Sequence, residues 1–329
     1  MPKAIALYSG GLDSTLAVAL MRRAGVEVIP LTFTSPFGGG SGEEGRMRAV
    51  ADTFGLELQT VPFAEELIAL VKSPRHGHGK NLNPCIDCHL LMLRKSKALL
   101  PAYGADFVVT GEVLGQRPMS QHRQALDLIA RQSGLAELLL RPLSARLLPP
   151  TLPQVKGWVG EEWLLDIAGR GRTRQLELAK SLGLEKYQPP AGGCLLTDPG
   201  YTRKLRDVMD SGLLTEHAAE VIRHGRYFNL GPAAKLVVAR QEAECRRLEA
   251  LAQAEEWLLV PGDATRGPSG LLLGPEGESN LGAALEILAH YCRPAPAMEM
   301  EIGKPGGQRS LVRLPAEMAE ERLRALLVG

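Results

Sequence analysis

The sequence predicts an α/β protein in which a doubly wound parallel sheet is followed by a second, smaller α+β domain. Two observations support this fold class. Short apolar runs alternate with helical patterns in the first half of the chain, which is typical of parallel βαβ units. After a Thr-Asp-Pro-Gly turn at 197–200 the strands and helices follow a different order. We therefore expect a first domain over residues 1–197 and a second over residues 198–329.

The predicted elements follow the apolar periodicity. In the first domain we expect a helix through Leu16 and Leu20, a helix near 43–54 and a helix over 88–100. In the second domain we expect helices over 241–253 and 281–290. The expected strands are 5–8, 26–34, 56–63, 106–110 and 138–143 in the first domain, and 235–239, 257–260 and 271–273 in the second.

Composition narrows the possible function classes. The chain has 329 residues, of which 45% are hydrophobic and 23% charged, as in an ordinary soluble protein. No apolar run approaches the roughly 20 residues that a membrane helix needs, and the N-terminus does not read as a signal peptide. Five cysteines without an export signal indicate a reducing cytoplasm, so we expect a cytoplasmic protein with no membrane partner. With a net charge of +1, any nucleic-acid contacts must come from local patches.

A glycine loop follows the first predicted strand. Its residues, Ser-Gly-Gly-Leu-Asp-Ser at 9–14, lead directly into the first helix. Glycine lets the backbone turn sharply, and the N–H groups at a helix start favour an anion such as phosphate. Asp13 would repel a bare phosphate, so we expect it to hold Mg²⁺ on a pyrophosphate. The Walker lysine and the G-x-G-x-x-G pattern are both absent, and an ordinary βα turn is the structural alternative.

This loop resembles the Ser-Gly-Gly-x-Asp-Ser signature of the PP-loop ATP pyrophosphatases. The resemblance implies an adenine nucleotide alpha hydrolase-like fold and cleavage of ATP between the α and β phosphates. It also implies that a carbonyl or amide oxygen of the substrate is adenylated. The family includes tRNA thiolation enzymes, 7-cyano-7-deazaguanine synthase and amide-forming synthetases, and the loop alone does not separate them.

Three cysteines lie in motifs. Cys85 and Cys88 form a C-x-x-C pair at a predicted helix start, where the helix dipole favours thiolate, and Cys194 stands in Ala-Gly-Gly-Cys-Leu-Leu. The three sulfurs could meet at the carboxyl edge of the sheet, where the nucleotide is expected. A structural zinc half-site, with His89 as a further ligand, is the alternative for the pair. A buried core thiol is the alternative for Cys194.

A second group of residues resembles tRNA 4-thiouridine synthetase. The stretch Val-Thr-Gly-Glu-Val-Leu-Gly-Gln at 109–116, the Ser-Gln at 120–121, the Met-Leu-Arg at 92–94 and the Leu-Arg-Pro-Leu at 140–143 occur in family order. The resemblance implies that Cys194 handles sulfur, and we expect Asp13, Cys88 and Cys194 to be catalytic. Together with the glycine loop, the expected nucleotide contacts are Tyr8, Ser9, Gly10, Gly11, Asp13, Ser14, Thr32, Phe33, Arg94, Gly111 and Gln121.

The chain departs from this family pattern in several places. One extra residue separates Gln116 from Gln121, and His89 stands where the family has a lysine. No N-terminal RNA-binding extension and no rhodanese-like domain are recognisable, which leaves RNA presentation and the sulfur source open. The segments 225–228 and 235–238 are similar to an RNA-associated domain of the NFACT type. The second domain is therefore a candidate RNA-binding domain.

Basic residues are clustered although the whole chain is nearly neutral. Such clusters would suit phosphate contacts on tRNA, and the alternative for each residue is a solvated helix face. The glycine-rich segment 73–80 is expected to be a mobile loop over the substrate or a disordered linker. The clustered residues are Arg170, Arg172, Arg174, Lys180, Lys186, Arg203, Lys204, Arg206, Arg223, His224, Arg226 and Lys235.

The leading interpretation is ATP-dependent thiolation of tRNA, with 4-thiouridine favoured over 2-thiouridine. The expected cofactors are ATP, Mg²⁺ and a [4Fe–4S] cluster on Cys85, Cys88 and Cys194 with one iron lacking a protein ligand, since such clusters are usually held by thiolates. A persulfide on Cys194 that Cys88 resolves is the metal-free alternative. The expected partners are tRNA and either sulfide or a sulfur donor protein.

Two other functions are compatible with the sequence. One is another PP-loop adenylating synthase, such as a 7-cyano-7-deazaguanine-type enzyme, which would need a compact zinc cysteine cluster that the distant Cys194 does not fit. The other is a non-catalytic nucleotide-binding RNA protein, against which Asp13 and the cysteines argue.

Overall fold

The structure, a computed structural model, describes residues 1–38, 43–52, 54–184, 187 and 193–329. The chain divides into two compact units, Met1–Cys194 and Leu195–Gly329. Lys186, one of the basic residues considered for phosphate contacts, lies outside the described residues. Among the helices that the structure describes, none has both the length and the apolar character needed to cross a bilayer.

The first unit is built on a five-stranded parallel sheet. Its strands are β1 (Lys3–Leu7), β2 (Glu27–Thr34), β3 (Gln59–Pro62), β4 (Phe107–Val109) and β5 (Leu139–Leu140). The strand order is β3-β2-β1-β4-β5, so the chain starts in the middle of the sheet and winds to both edges. In the register, Ile5 pairs with Ile29 on one side and with Val108 on the other. The predicted doubly wound parallel sheet is confirmed.

Helices connect these strands. They are α1 (Leu12–Arg23), α2 (Glu43–Asp52), α3 (Ala64–Lys72), α4 (Cys85–Tyr103), α5 (Arg123–Ser133), α6 (Leu152–Val155) and α7 (Thr173–Ser181), with 3₁₀ turns at Ala145–Leu147 and Glu161–Trp163. Helix α4 begins three residues earlier than predicted, with Pro84 as its cap. It ends at Gly104, whose φ of 59° lies in the left-handed region that glycine adopts without strain.

Two hydrophobic cores cover the two faces of this sheet. Alternation along β1 sends Ala4 and Ala6 to the core that contains Leu16 of α1, and sends Ile5 to the core that contains Leu93 of α4. Both helices are thus pressed onto the middle strand from opposite sides. This places the glycine loop before α1 and the cysteine pair at the start of α4 around one end of the sheet.

The second unit is an α+β domain on a seven-stranded antiparallel sheet. Its strands are β6 (Arg226–Gly231), β7 (Ala234–Val238), β8 (Trp257–Pro261), β9 (Gly270–Leu273), β10 (Glu299–Gly303), β11 (Ser310–Arg313) and β12 (Leu327–Val328), in the order β11-β10-β8-β9-β7-β6-β12. Its helices are α8 (Pro199–Asp210), α9 (Glu216–Val221), α10 (Glu242–Leu251), α11 (Leu281–Tyr291) and α12 (Glu320–Leu326), with 3₁₀ turns at Leu195–Thr197 and Glu278–Asn280. The predicted second α+β domain is confirmed.

The two faces of this second sheet differ in polarity. Phe228 and Leu236 pack on one face against Ile287 of α11. Tyr227 and Lys235 alternate with them along the strands and point to the other face, where Asp207 of α8 lies.

Lys235 is a structural cation. Its side chain is 1% exposed, and Nζ lies 2.8 Å from Asp207 Oδ2 and 2.9 Å from Asn229 Oδ1. The Tyr227 hydroxyl donates to the same carboxylate at 2.5 Å. Burial, reinforced by the negative charge of Asp207, raises the pKa of Tyr227 well above its usual range. Because a buried charge must be paired, the expectation that Lys235 contacts phosphate is wrong.

Candidate active site

The glycine loop lies at the carboxyl end of β1, the middle strand. The Tyr8 N–H donates to the Leu31 carbonyl at 2.8 Å and so continues the pairing with β2 by one residue. Gly10 then has a φ of 68°, which a residue with a side chain adopts only at a cost. Gly11 caps α1 in an extended conformation, without a side-chain hydrogen bond to the helix. The N–H groups of the first turn of α1 therefore have no side-chain cap, and such groups favour an anion.

Ser9 and Ser14 close the loop on itself. Their hydroxyl oxygens lie 3.2 Å apart, and the Ser9 N–H donates to Ser14 Oγ at 3.3 Å. The Ser14 hydroxyl donates in turn to the Gly11 carbonyl at 3.0 Å. These bonds fix two hydroxyl groups beside the helix start, which is where the predicted phosphate contacts would have to lie.

Asp13, in the first turn of α1, lies against two polar side chains, and a third reaches it through one of them. Gln116 Nε2 donates to Asp13 Oδ2 at 2.6 Å, and Arg172 Nη2 lies 3.9 Å from the same oxygen. Gln175, which is fully buried, donates through Nε2 to Gln116 Oε1 at 2.9 Å. The other oxygen, Asp13 Oδ1, is buried without a hydrogen-bond partner in the described part of the chain. A buried carboxylate oxygen without a donor is costly and suits a hard cation such as Mg²⁺.

Gly111 approaches the loop from the end of β4. A Cβ at this position would lie 2.6 Å from the backbone carbon of Asp13 and 2.6 Å from the backbone nitrogen of Ser14. Side chains do not fit at such distances, so only glycine lets the two backbones pack. Gly111 thereby sets the spacing between the end of β4 and the start of α1.

The expected nucleotide contacts on β2 lie beside the loop. Thr32 is buried, with Oγ1 3.5 Å from Met47 Sδ. Phe33 packs against Phe63 with ring centroids 5.3 Å apart. Since β2 is paired with β1, both residues lie at the same end of the sheet as the loop, and their contact with nucleotide stays a prediction.

Tyr8 carries a buried polar atom at this end of the sheet. The residue is 3% exposed, and its hydroxyl has no well-formed hydrogen bond to any described residue. Burial raises the pKa of Tyr8, and the nearby Thr15 hydroxyl opposes that rise only partly. The hydroxyl is therefore a neutral donor without a partner.

A buried carboxylate, Glu112, ties three elements together next to Gly111. Glu112 Oε2 accepts from Arg141 Nε at 2.8 Å and from the Thr110 hydroxyl at 3.0 Å. Glu112 Oε1 lies 2.9 Å from Nδ1 of His89, which follows Cys88 on α4. Burial on its own would raise the pKa of Glu112, but Arg141 and His89 outweigh it and hold the pKa well below its usual range. Glu112 and its three partners therefore fix α4, the helix that begins with the cysteine pair, to the ends of β4 and β5.

The cysteine pair opens α4. Asn83 Nδ2 donates to Cys85 Sγ at 3.1 Å. Burial, followed by the neighbouring Cys194 and Cys85 thiols, raises the pKa of Cys88 well above its usual range. Burial and the neighbouring thiols thus oppose the thiolate that the helix dipole was expected to favour at Cys88. The fold does bring both other thiols close enough to Cys88 to influence its charge, although within the described residues no three His, Cys, Asp or Glu side chains are placed to hold a metal ion.

The polar segment 73–80 folds back onto the start of α4. Asp87, which lies inside the cysteine motif, accepts from the His76 N–H at 2.9 Å and lies 2.7 Å from His76 Nδ1. The Gly79 N–H donates to the Asn83 carbonyl at 2.9 Å. These contacts argue against a disordered linker and hold the segment beside the cysteine pair.

Two expected nucleotide contacts are engaged in other ways. Arg94 donates through Nε and Nη2 to the Gln132 carbonyl, at 3.2 and 3.1 Å, near the end of α5. Gln121 is buried, and its carbonyl accepts from the Gly115 N–H at 2.7 Å, while its Oε1 has no hydrogen-bond partner among the described residues. Arg94 thus serves the contact between α4 and α5, and the role of either residue at a nucleotide stays a prediction.

The basic residues at 170–174 separate in the structure. Arg172 lies against Asp13, whereas Arg174 pairs with Asp166 at 2.5 Å. Arg170 is exposed. Sequence reasoning considered Arg172 only as a phosphate contact on tRNA, and it did not single out Gln175 at all, because nothing in the local pattern relates either residue to the glycine loop.

Two protein-family models match the chain. Residues 1–146 match the model described as "Thiamine biosynthesis protein (ThiI)". Residues 225–325 match the model described as "NFACT protein RNA binding domain". Both resemblances found in the sequence, to the PP-loop thiolation enzymes and to an NFACT-type domain, are confirmed.

Curated relatives carry related names. The chain is 25% identical to tRNA-specific 2-thiouridylase MnmA of Geobacter metallireducens, over 78% of this chain and 76% of the relative. It is 27% identical to a probable tRNA sulfurtransferase of Thermococcus kodakarensis, over 43% of this chain and 36% of the relative. It is 28% identical to a probable tRNA sulfurtransferase of Methanosarcina mazei, over 50% of this chain and 48% of the relative. The chain thus spans less than half the length of these two sulfurtransferases. Two of the three relatives carry the name of the predicted enzyme class, tRNA sulfurtransferase, and the third is named a tRNA-specific 2-thiouridylase.

We predict that Gly111→Ala weakens binding of Mg·ATP about tenfold or more. The added Cβ must displace the backbone of Asp13 and Ser14, and overpacking of this kind costs about 1–3 kcal/mol. Isothermal titration calorimetry measures the change. Gly282→Ala is the control, because no atom lies within 4 Å of a Cβ added there. Unchanged ATP affinity in Gly111→Ala would contradict the close approach.

We predict a pH-dependent stability difference between the wild type and Glu112→Gln. Because the folded-state pKa of Glu112 is depressed, its contribution is fully present above its unfolded pKa of about 4.3 and is lost as the pH falls below that value. The difference in the free energy of unfolding should be about 3–5 kcal/mol at pH 7, since Arg141 is left buried and unpaired. It should then shrink by about 1.4 kcal/mol per pH unit below about pH 4.3.

Urea unfolding of both proteins between pH 7 and pH 3 measures this difference. The other carboxylates titrate in both proteins and cancel in the subtraction. A difference that stays constant over this pH range would show that the Glu112 side chain is not ionised in the folded protein.

Proposed function

We propose that this protein is an ATP-dependent tRNA sulfurtransferase, which adenylates a uridine carbonyl oxygen in tRNA and replaces it with sulfur. The observation that carries the proposal is the grouping, around one end of a parallel sheet, of an uncapped helix start, a buried carboxylate oxygen without a partner and three neighbouring thiols. The ThiI match and the names of the relatives support it. 4-Thiouridine is the favoured product because the stretch 109–116 resembles tRNA 4-thiouridine synthetase.

The glycine loop supplies the phosphate site. The N–H groups of the first turn of α1 and the hydroxyls of Ser9 and Ser14 would donate to phosphate oxygens. Asp13 Oδ1 would hold Mg²⁺, whose charge stabilises the pyrophosphate leaving group. Arg172, 3.9 Å from the same carboxylate, adds positive charge on this side of the loop.

The reaction proceeds in two displacements. The uridine carbonyl oxygen attacks the α-phosphorus of ATP, the bond from that phosphorus to the bridging oxygen breaks, and pyrophosphate leaves. A sulfur nucleophile at the oxidation level of sulfide then adds to the activated ring carbon. The carbon–oxygen bond breaks, and AMP leaves with the former uridine oxygen. One sulfide equivalent is consumed for each ATP, supplied by sulfide or by a sulfur donor protein.

The three thiols form the proposed sulfur site. Cys85, Cys88 and Cys194 are donors of the kind that hold iron–sulfur clusters, and the raised pKa of Cys88 means that a thiolate there needs a positive partner. A [4Fe–4S] cluster held by these three residues would provide that charge and a place for sulfide. The rival is a persulfide on Cys194, from which Cys88 would release sulfide equivalents by forming a disulfide.

We assign the proposed thiolation and the proposed RNA binding to different parts of the chain. Residues 1–197 form the proposed thiolation domain, which carries the loop and the three cysteines. Residues 198–329 form the proposed RNA-binding domain, supported by the NFACT description of residues 225–325.

We predict that the purified protein, given tRNA and Mg·ATP, forms AMP and pyrophosphate rather than ADP. Asp13→Asn should lower this rate about hundredfold or more, because it removes the carboxylate charge that holds the cation, at a cost of several kcal/mol. Asp210→Asn, which changes an exposed carboxylate at the end of α8, is the matched control and should retain the rate. Chromatography of the nucleotides and mass spectrometry of digested tRNA give both products. ADP as the main product would contradict the proposed adenylation chemistry. 2-Thiouridine in place of 4-thiouridine would contradict only the favoured product.

We predict that anaerobic reconstitution with iron and sulfide yields a brown protein with broad visible absorption. Cys85→Ala, Cys88→Ala and Cys194→Ala should each lose the colour, because each removes one thiolate ligand. Cys245→Ala is the control, since Cys245 lies in the second unit and accepts a hydrogen bond from the Ser269 N–H. A colourless, iron-free preparation that thiolates tRNA at the full rate and accumulates a Cys88–Cys194 disulfide would establish the persulfide route instead.

A further inference from the structure

An arginine is stacked on a tyrosine ring in the second unit, on the sheet face that α11 covers. The Cζ atom of Arg226 lies 4.4 Å from the centroid of the Tyr291 ring. Phe228, two residues along β6, backs this ring with centroids 6.2 Å apart, and His290 meets it edge-on at 5.0 Å. Because Arg226 and Phe228 are two residues apart on one strand, both point to the α11 face. The contacts hold the Arg226 guanidinium over an aromatic support while the residue stays partly exposed.

Two exposed arginines lie next to this stack. Arg293 follows Tyr291 by two residues, which is about 7 Å of chain at most. Its N–H donates to the Arg266 carbonyl at 2.8 Å, so the two backbones touch. Gly267 permits this approach, because a Cβ there would lie 2.2 Å from Cys292 Sγ. We call the group formed by Arg226, Tyr291, Arg266 and Arg293 the Tyr291 platform.

The three arginines of the Tyr291 platform have no carboxylate partner and no side-chain hydrogen bond within the described residues. Beside the stack, the Glu317 carboxylate lies 3.2 Å from His290 Nδ1 and is 68% exposed. Unpaired cations in contact with water are the groups that neutralise phosphates and release counterions when RNA binds.

Most of the other clustered basic side chains in this unit form ion pairs or hydrogen bonds within the unit. Glu220 pairs with Arg223 at 2.7 Å, with Arg247 at 2.9 Å and with His224 at 3.2 Å. Burial opposes ionisation of Glu220, but these three partners lower its pKa to about 2. Arg223 and His224, which the sequence suggests for phosphate contacts, are thus engaged by a carboxylate of the same unit.

Lys204 is also used internally. Its Nζ donates to the carbonyls of Gly225 at 2.9 Å and of Ile222 at 3.3 Å. Burial and the nearby charge of Arg240 lower the pKa of Lys204 to about 8. Of the basic group at 203–206, the two exposed residues are Arg203 and Arg206 of α8, which packs on the sheet face opposite to α11.

We propose that the Tyr291 platform is the RNA-contact surface of the second unit and that it binds an unpaired nucleotide. The base stacks on the outer side of the Arg226 guanidinium, with Tyr291 behind it, and Arg266 and Arg293 contact the neighbouring phosphates. A guanidinium plane stacks on aromatic rings and on bases alike, and unpaired bases are what RNA-binding proteins read by stacking. The proposal rests on the proposed function, since RNA is the partner only if the protein acts on tRNA.

Binding of the full-length protein to a fluorescein-labelled single-stranded oligoribonucleotide and to an unmodified tRNA transcript tests the surface. Arg266→Gln/Arg293→Gln should weaken both affinities about tenfold and reduce the slope of log K against log salt by about 1.4 for the single strand. Arg203→Gln/Arg206→Gln removes the same charge from the opposite face of the sheet and should change both affinities less than about twofold. A loss in this control equal to or larger than the loss in the platform variant overturns the proposal.

Arg226→Lys tests the stacking part. Lysine keeps the charge but lacks the planar group, so the single-stranded oligonucleotide should bind about tenfold more weakly with an unchanged salt slope. Fluorescence anisotropy gives both quantities, and the thermal melting temperature shows that the variant is folded. Wild-type affinity in folded Arg226→Lys overturns the stacking of a base on this residue.

The outcomes separate the surface from the function. A wild type that thiolates tRNA, together with platform variants that bind RNA as tightly as the wild type does, overturns the Tyr291 platform and leaves the proposed function standing. A wild type that binds neither RNA contradicts the proposed function and the platform with it.

Discussion

A buried carboxylate holds the proposed active site together. Taking Glu112 out of water costs several kcal/mol unless its charge is met, and the structure meets it with Arg141, His89 and the Thr110 hydroxyl. These partners stand at the ends of β4 and β5 and in the first turns of α4. Since each hydrogen bond is directional, the group fixes both the distance and the rotation of α4 relative to the sheet. The position of the cysteine pair depends on it.

The residue before Glu112 sets the other half of the site. Gly111 lies so close to the backbone of Asp13 and Ser14 that the end of β4 and the glycine loop form one rigid packing unit. Gly111 and Glu112, which follow β4, therefore position the glycine loop and the cysteine pair at the start of α4. The proposed reaction needs this coupling, because the adenylated oxygen and the sulfur nucleophile have to meet at the same carbon. The raised pKa of Cys88 has the same origin, since the packing of α4 against the sheet partly withdraws this thiol from water.

In the second unit, the side of the sheet decides what a positive charge does. Lys235 and Lys204 meet acceptors in or beside the α8 layer, where Asp207 and main-chain carbonyls neutralise or solvate them. Arg226, one strand residue away from Tyr227, faces the α11 side and stacks on Tyr291 instead. A positive charge on the α8 face is therefore used in packing within the unit, whereas Arg226 on the α11 face is available to bind RNA in the proposed platform. Clustering along the sequence does not distinguish these uses, because neighbouring strand residues point in opposite directions.

The sequence by itself determined the fold class, the five strands of the first sheet, the glycine loop and the cysteine motif, because those signals are local. Apolar alternation marks a strand within a few residues, and a loop at a helix start is recognisable from Gly10 and Gly11 alone. Only the tertiary structure decided that Arg172 and Gln116 meet at Asp13, that Glu112 binds α4 to the sheet, and that Lys235 is buried. These features depend on contacts between residues far apart in the chain and on the water that folding removes, and neither is written in a local pattern.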